Sequence, residues 1–282
     1  MSSLVVHPAT SAAIEVYLAH PGHAVLLSGP AGVGKAAIAA DIAMELLGMD
    51  AAKLANYPYF RHLGASSDKS IAIDAIRELG SFLARKVPGG GRRVVLIEAA
   101  ERLTVEAQNA LLKTLEEPPE GTILVLTSSN ERALLPTIIS RVQRLNVSRP
   151  PAAQVKAFYE KQGFEGQKIA QAALMSGGLP GVMQAILSGD TTHPLLLAAA
   201  DARKIAGGTT FERLTMVDAL AKDRDHCLQV LGMLEQMAHV ALVRGNAAAA
   251  WRRVLEGCYE AAALLTDSAQ PKLVLTNLML KL

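Results

Sequence analysis

The stretch Ala24-Val25-Leu26-Leu27-Ser28-Gly29-Pro30-Ala31-Gly32-Val33-Gly34-Lys35-Ala36 decides the fold. Its apolar start predicts a short strand, and the alanine-rich run that follows predicts a helix to about Leu47, closed by Gly48. Between them stands G-x-x-x-x-G-K, the spacing of a P-loop in its strand–loop–helix setting. Gly29, Gly32 and Gly34 let backbone N–H groups converge on a phosphate, the helix N-terminus adds positive potential, and Lys35 supplies a point charge. The next position is the exception: where a hydroxyl should ligate Mg²⁺, the chain has Ala36.

A second apolar strand, Val94–Ile97, leads into Glu98-Ala99-Ala100-Glu101. In Mg²⁺-dependent nucleotide hydrolysis such a strand ends in an Asp that holds the metal, and a neighbouring Glu polarises the attacking water. Glu98 is longer than that Asp, and Ala99 can neither polarise water nor bind metal. Two independent positions are altered together, so hydrolysis by this chain alone is not expected. The bland alternative, an ordinary glycine-rich turn, does not explain the flanking strand and helix or the second strand. Whether the loop still holds a nucleotide stays open.

The rest of the chain frames this domain. Residues 9–19 predict a helix with Ala13, Val16 and Tyr17 on one side. Tyr57 to Leu63 reads as extended, and Ile73, Ile76, Leu79 and Leu83 recur at helical spacing until Pro88-Gly89-Gly90-Gly91 breaks the pattern. Thr104 can cap a helix to about Glu117, with Ala107, Leu111 and Leu115 inward. Ile123–Leu126 predicts a strand, 136–140 a short helix and Val142–Val147 a last strand. Strands alternating with helices imply a five-stranded parallel sheet covered on both faces. After Pro150-Pro151 only helices are expected, at about 152–162, 166–176, 180–187 and onward, with Leu228, Leu231, Leu234 and Met237 as helical core. The turn-forming run 188–194 suggests a second boundary.

Composition sets outer limits. The 282 residues suffice for two or three cores; half are apolar and only 4% aromatic, so the helices must pack through small side chains. A net charge of +2 is too near neutral to give tight nucleic-acid binding by charge alone. Cys227 and Cys258 form no CxxC pair and the histidines no HExxH, so no metal site and no disulfide framework is expected. No Lys or Arg precedes Lys35, and no apolar run approaches the ~18 residues of a membrane span, so a cytoplasmic location without membrane contact is expected. Arg85, Lys86, Arg92 and Arg93 flank the glycine loop, either as a solvated surface or as a phosphate contact to DNA.

Three further segments occur in a telling order. They are Leu111-Leu112-Lys113-Thr114-Leu115-Glu116-Glu117-Pro118-Pro119, then Leu126-Thr127-Ser128-Ser129-Asn130, then Leu135-Pro136-Thr137-Ile138-Ile139-Ser140-Arg141-Val142-Gln143. This sequence resembles the bacterial DNA polymerase III clamp loader, with its LLKTLEEPP motif, sensor 1 segment and SRC motif. Ile71–Leu79 and Pro271–Leu282 resemble the delta-prime type rather than the ATP-hydrolysing gamma/tau type. The resemblance implies an AAA+ P-loop domain over 1–149, a small helical lid over 150–190 and a helical collar over 191–282. It also implies that Arg141, in the SRC position, is a finger reaching the ATP of an adjacent subunit, with Ser140 shaping the turn. Without the motif, Arg141 reads as a surface arginine. Gly29, Gly32, Gly34, Lys35, Glu98 and the sensor 1 residue Thr127 then form a degenerate nucleotide site. No cofactor is required, and ATP or ADP as a structural ligand is left open.

The implied partners are gamma/tau- and delta-type subunits and, through them, the sliding clamp and primer–template DNA, in the nucleoid. The chain departs from the family at Val142 in place of cysteine, and in lacking the four-cysteine zinc module, so either 49–70 folds without metal or the module is deleted. No sensor 2 arginine stands in Gly177-Gly178-Leu179-Pro180-Gly181. The leading reading is a non-hydrolysing subunit of delta-prime type. A gamma-type motor with a rebuilt metal site is the alternative, and a P-loop protein outside replication is disfavoured by the three motifs together.

Overall fold

A computed structural model describes residues 4–64, 70–190, 192–243, 248–266 and 269–282. Contacts divide the chain into two compact units, Met1–Gln154 and Val155–Leu282.

The first unit is built on five strands: β1 (Ala24–Ser28), β2 (Phe60–Leu63), β3 (Arg93–Ile97), β4 (Thr122–Ser128) and β5 (Gln143–Asn146). Every pairing is parallel, in the order β2-β3-β4-β1-β5. β3 and β4 are buried along their whole length, as continuous apolar runs require when helices cover both faces. The helices are α1 (Pro8–Ala19), α2 (Lys35–Leu47), α3 (Ala51–Ala55), α4 (Ile73–Leu83), α5 (Val105–Glu116) and α6 (Pro136–Ile139).

The inward rows of α4 and α5 explain why these segments are helices. Ile76, Leu79 and Leu83 meet Ala107, Leu111 and Leu115 over Val95, Ile97, Leu124 and Leu126. Burying one such Leu or Ile side chain stabilises the fold by ~1.5–3 kcal/mol. Thr104 caps α5, its side chain accepting the Ala107 N–H, and Pro118 stops the chain from continuing.

α1 departs from expectation. Thr10, Ile14 and Tyr17 face inward, whereas Val16 is 68% exposed. The Thr10 hydroxyl donates to Asn146 O and accepts the Ser148 N–H, so a polar anchor at the end of β5 sets the rotation of the helix. α3 is a further surprise in the 49–70 stretch, capped by Asp50 at the Lys53 N–H; residues 65–69 of that stretch lie outside the described residues.

Arg93 overturns part of the basic-cluster reading. It is 2% exposed, and its guanidinium donates to Phe82 O at 3.1 Å, to Leu83 O at 2.7 Å and to Arg85 O. These carbonyls lie in the last turn of α4 and just past it, where a helix end offers acceptors to a cation, so Arg93 caps a helix and is withdrawn from any phosphate. Arg85, Lys86 and Arg92 remain exposed.

The second unit is helical among its described residues. α7 (Ala152–Lys161) crosses the division between the units. It is followed by α8 (Gly166–Ser176), α9 (Pro180–Ser188), α10 (Pro194–Gly207), α11 (Thr210–Leu220), α12 (Arg224–Val243), α13 (Ala248–Thr266) and α14 (Pro271–Lys281). Small residues permit close packing: a Cβ on Gly257 of α13 would lie 2.7 Å from Leu278 Cδ1 of α14. Leu231 and Leu234 are buried in α12, and both cysteines are buried and free. Within the expected turn, Asp190 Oδ1 accepts from the N–H and hydroxyl of Thr192; Thr191 lies outside the described residues. No described helix is long and apolar enough to cross a membrane.

Candidate functional site

The P-loop occupies the C-terminal end of β1, between β4 and β5. Gly29 is required by a close approach: a Cβ there would meet Val147 O at 2.3 Å. Gly34 opens α2 with φ +100°, a conformation that L side chains resist. The loop closes on its own lysine. Lys35 is 8% exposed, and its Nζ donates to Gly29 O at 2.7 Å, Pro30 O at 2.9 Å and Ser129 Oγ at 2.8 Å. An ammonium has three donors, and all three are satisfied within the chain. Ser129 lies just beyond the end of β4, and nothing in its spacing in the sequence announces a contact to Lys35.

Burial lowers the Lys35 pKa from 10.5 to about 8, against the opposing pull of Glu101 and Glu98. The folded value lies below the unfolded one, so the charged lysine costs stability below pH 8, and that cost is relieved as pH rises towards 10.5. Unfolding free energies of wild type and Lys35→Met, measured by denaturant titration from pH 7.5 to 10.5, should diverge accordingly. We expect wild type to gain on the order of 2–3 kcal/mol relative to the variant across this window. A pH-independent difference would contradict the burial argument.

The acids beside the loop are committed elsewhere. Glu98 Oε2 pairs with His62 Nε2 of β2 at 3.1 Å, which is the chief cause of its lowered pKa. Glu101 Oε1 accepts the Ser129 N–H at 3.0 Å. Thr127, 2% exposed, accepts the Ala99 N–H on Oγ1 at 3.0 Å and so pins the backbone just beyond β3. Ala99 is the only described non-glycine residue with positive φ, at 53°. Ala99→Gly should therefore stabilise the first unit by about 0.5–1 kcal/mol, read from the shift in its denaturation midpoint; a loss would show that the methyl group does more than tolerate strain.

This donor set does not fit a Mg²⁺–nucleotide centre. Ala36 and Ala99 offer no ligating side-chain atom, Glu98 is held by His62, and Lys35 would have to leave three acceptors to meet a phosphate.

Arg141 lies away from this cluster, just past α6. Its NH1 donates to Thr137 O at 3.0 Å and to Ser140 Oγ at 3.2 Å, and NH2 contacts Glu116 Oε1 at 2.7 Å. Ser140 itself donates to Thr137 O at 3.0 Å, closing the short helix. Val142 packs against the core, which suits an apolar residue in place of cysteine. Behind this turn, Gln108 of α5 is 3% exposed and donates to Leu103 O and Ala133 O, while its Oε1 accepts the Leu135 N–H at 2.8 Å. It ties the loop leading into α6 to α5. A polar residue beside the inward row of α5 was the available signal for it.

In the second unit, Leu179 is fully buried between α8 and α9, and Tyr159 donates to Pro180 O at 2.9 Å.

The comparisons with known proteins fall on the same region. The family described as "DNA polymerase III, delta subunit" matches residues 15–151. Residues 15–151, most of the first unit, are thus similar to that family. The delta-prime subunit of Pseudomonas aeruginosa DNA polymerase III is 40% identical over 150 residues, covering 48% of this chain and 46% of that protein. The Escherichia coli delta-prime subunit is 30% identical over 184 residues, 60% of this chain and 55% of its own. A replication factor C small subunit of Haloarcula marismortui is also 30% identical, over 59% of this chain and 53% of its own. The matches thus span about half the length of these curated relatives. Among solved structures, a DNA polymerase III gamma subunit-related protein of Thermotoga maritima covers 96% of this chain and 97% of its own, with TM-score 0.54 and 18% identity. At that identity the likeness shows the fold alone, a parallel-sheet P-loop domain followed by helices.

Proposed function

We propose that this chain is a non-hydrolysing, delta-prime-type subunit of a clamp loader, acting in the cytoplasm on primed DNA through its partners. The observation that carries the reading is the P-loop closed on Lys35 beside two alanines at the metal positions. The loop keeps its shape as a scaffold, and the chain's own chemistry is confined to Arg141. That arginine projects from a short helix end, 36% exposed at its side chain, and would reach the γ-phosphate of ATP held by an adjacent subunit. Residues 150–190 would serve as a lid and 191–282 as the collar that holds gamma/tau- and delta-type subunits in one ring. The sliding clamp and primer–template DNA are then met by the whole assembly.

The alternative is a gamma/tau-type motor. It is favoured by the retained Lys35 and Glu98, and by the likeness to replication factor C small subunits. It requires Glu98 to leave His62 and a metal to be held without Ala36 or Ala99.

The test is reconstitution. The full chain, mixed with gamma- and delta-type subunits of its own organism, is expected to co-elute with them and to be needed for ATP-dependent clamp loading on primed DNA. Failure to associate with either subunit would overturn the proposal.

A further inference from the structure

The guanidinium of Arg141 is held from two sides. Thr137 O and Ser140 Oγ take NH1 from within its own turn, and Glu116 takes NH2 from another helix at 2.7 Å. Glu116 is the last residue of α5, where the helix dipole disfavours a carboxylate unless a cation is near. Arg141 is that cation, and the pair joins the C-terminal ends of α5 and α6. We propose that Glu116 is a latch, holding Arg141 against the chain's own surface until a phosphate of the adjacent subunit displaces the carboxylate. The inference rests on the role in trans proposed above for Arg141.

The chemistry suits an exchange. A terminal phosphate presents oxygens to the same planar fork as a carboxylate, with more charge. The side chains are 36% and 50% exposed, so the pair is weak enough to break, yet its length and its place at two helix ends define one stored position. The arginine is thus already beside the surface from which it acts, and it is withheld until an anion arrives. Glu116 is a positioning residue: it touches neither nucleotide nor metal.

The test uses the full chain with E116Q and E116D. Phenylglyoxal labels accessible guanidinium groups, and the adduct at Arg141 is quantified by peptide mass. E116Q should label Arg141 about two- to fivefold faster than wild type, the factor that an ion pair of this exposure is worth, with E116D close to wild type. In the reconstituted complex, E116Q should also raise ATP hydrolysis by the neighbouring subunit, and E116D should restore the wild-type rate. Equal labelling in wild type and E116Q would overturn the latch. So would a lower hydrolysis rate in E116Q, which would make Glu116 a support for the arginine in use. Arg141→Ala is assayed alongside: if it leaves hydrolysis unchanged, the role in trans has itself failed, whatever the labelling shows, and the latch falls with it.

Discussion

Arg141→Ala should slow ATP hydrolysis by the neighbouring subunit of the assembled complex by at least ~10³-fold, the usual effect of losing an arginine that stabilises charge on a transferring phosphoryl group. The fold should hardly notice. The guanidinium is partly exposed, and its ion pair with Glu116 is worth no more than ~1 kcal/mol, so assembly and thermal stability should stay near wild type. Arg141→Lys should not rescue the rate, because a point charge does not reproduce the planar fork. Phosphate release from the reconstituted complex, measured with saturating ATP, clamp and primed DNA, is the assay. A loss below tenfold would make Arg141 a surface residue.

Gln108→Leu should destabilise the first unit by about 3 kcal/mol, although the residue touches no part of the P-loop. The substitution keeps the volume and removes three buried hydrogen bonds, stranding Leu103 O, Ala133 O and the Leu135 N–H. Each buried group left unpaired costs about 1–3 kcal/mol, partly recovered if water reaches it. Urea denaturation, followed through a signal from the first unit, measures the change. A loss under 1 kcal/mol would mean that this junction is open to solvent in solution.

The centre of the sheet was legible because β1, β3 and β4 are largely continuous apolar runs set between helical periods, whereas the edge strands β2 and β5 carry no such run; the P-loop was legible because its glycines and lysine stand at fixed spacing. Helix limits followed from Thr104 and Gly48, which act locally. What escaped the sequence depends on partners far along the chain. Val16 looked as apolar as Tyr17, but Thr10 bonding to the end of β5 and to Ser148 just past it turned it outward. Arg93 looked like its exposed neighbour Arg92 until the end of α4 and the turn after it presented three carbonyls to it. Glu98 was read against the P-loop, whereas His62 on the adjacent strand holds it. Glu116 sat inside a recognised motif, yet its link to Arg141 spans the distance between two helices. The alanines at 36 and 99 needed no structure, because what they lack is visible in their side chains.

The most direct test of the account takes the purified full chain, titrates it with Mg²⁺-ATP in a calorimeter and follows phosphate release in the same sample. The account predicts no phosphate above the uncatalysed background, whether or not heat of binding is seen. Steady turnover in wild type, abolished by Lys35→Ala, would show a working metal site despite Ala36 and Ala99, and would make this chain a motor.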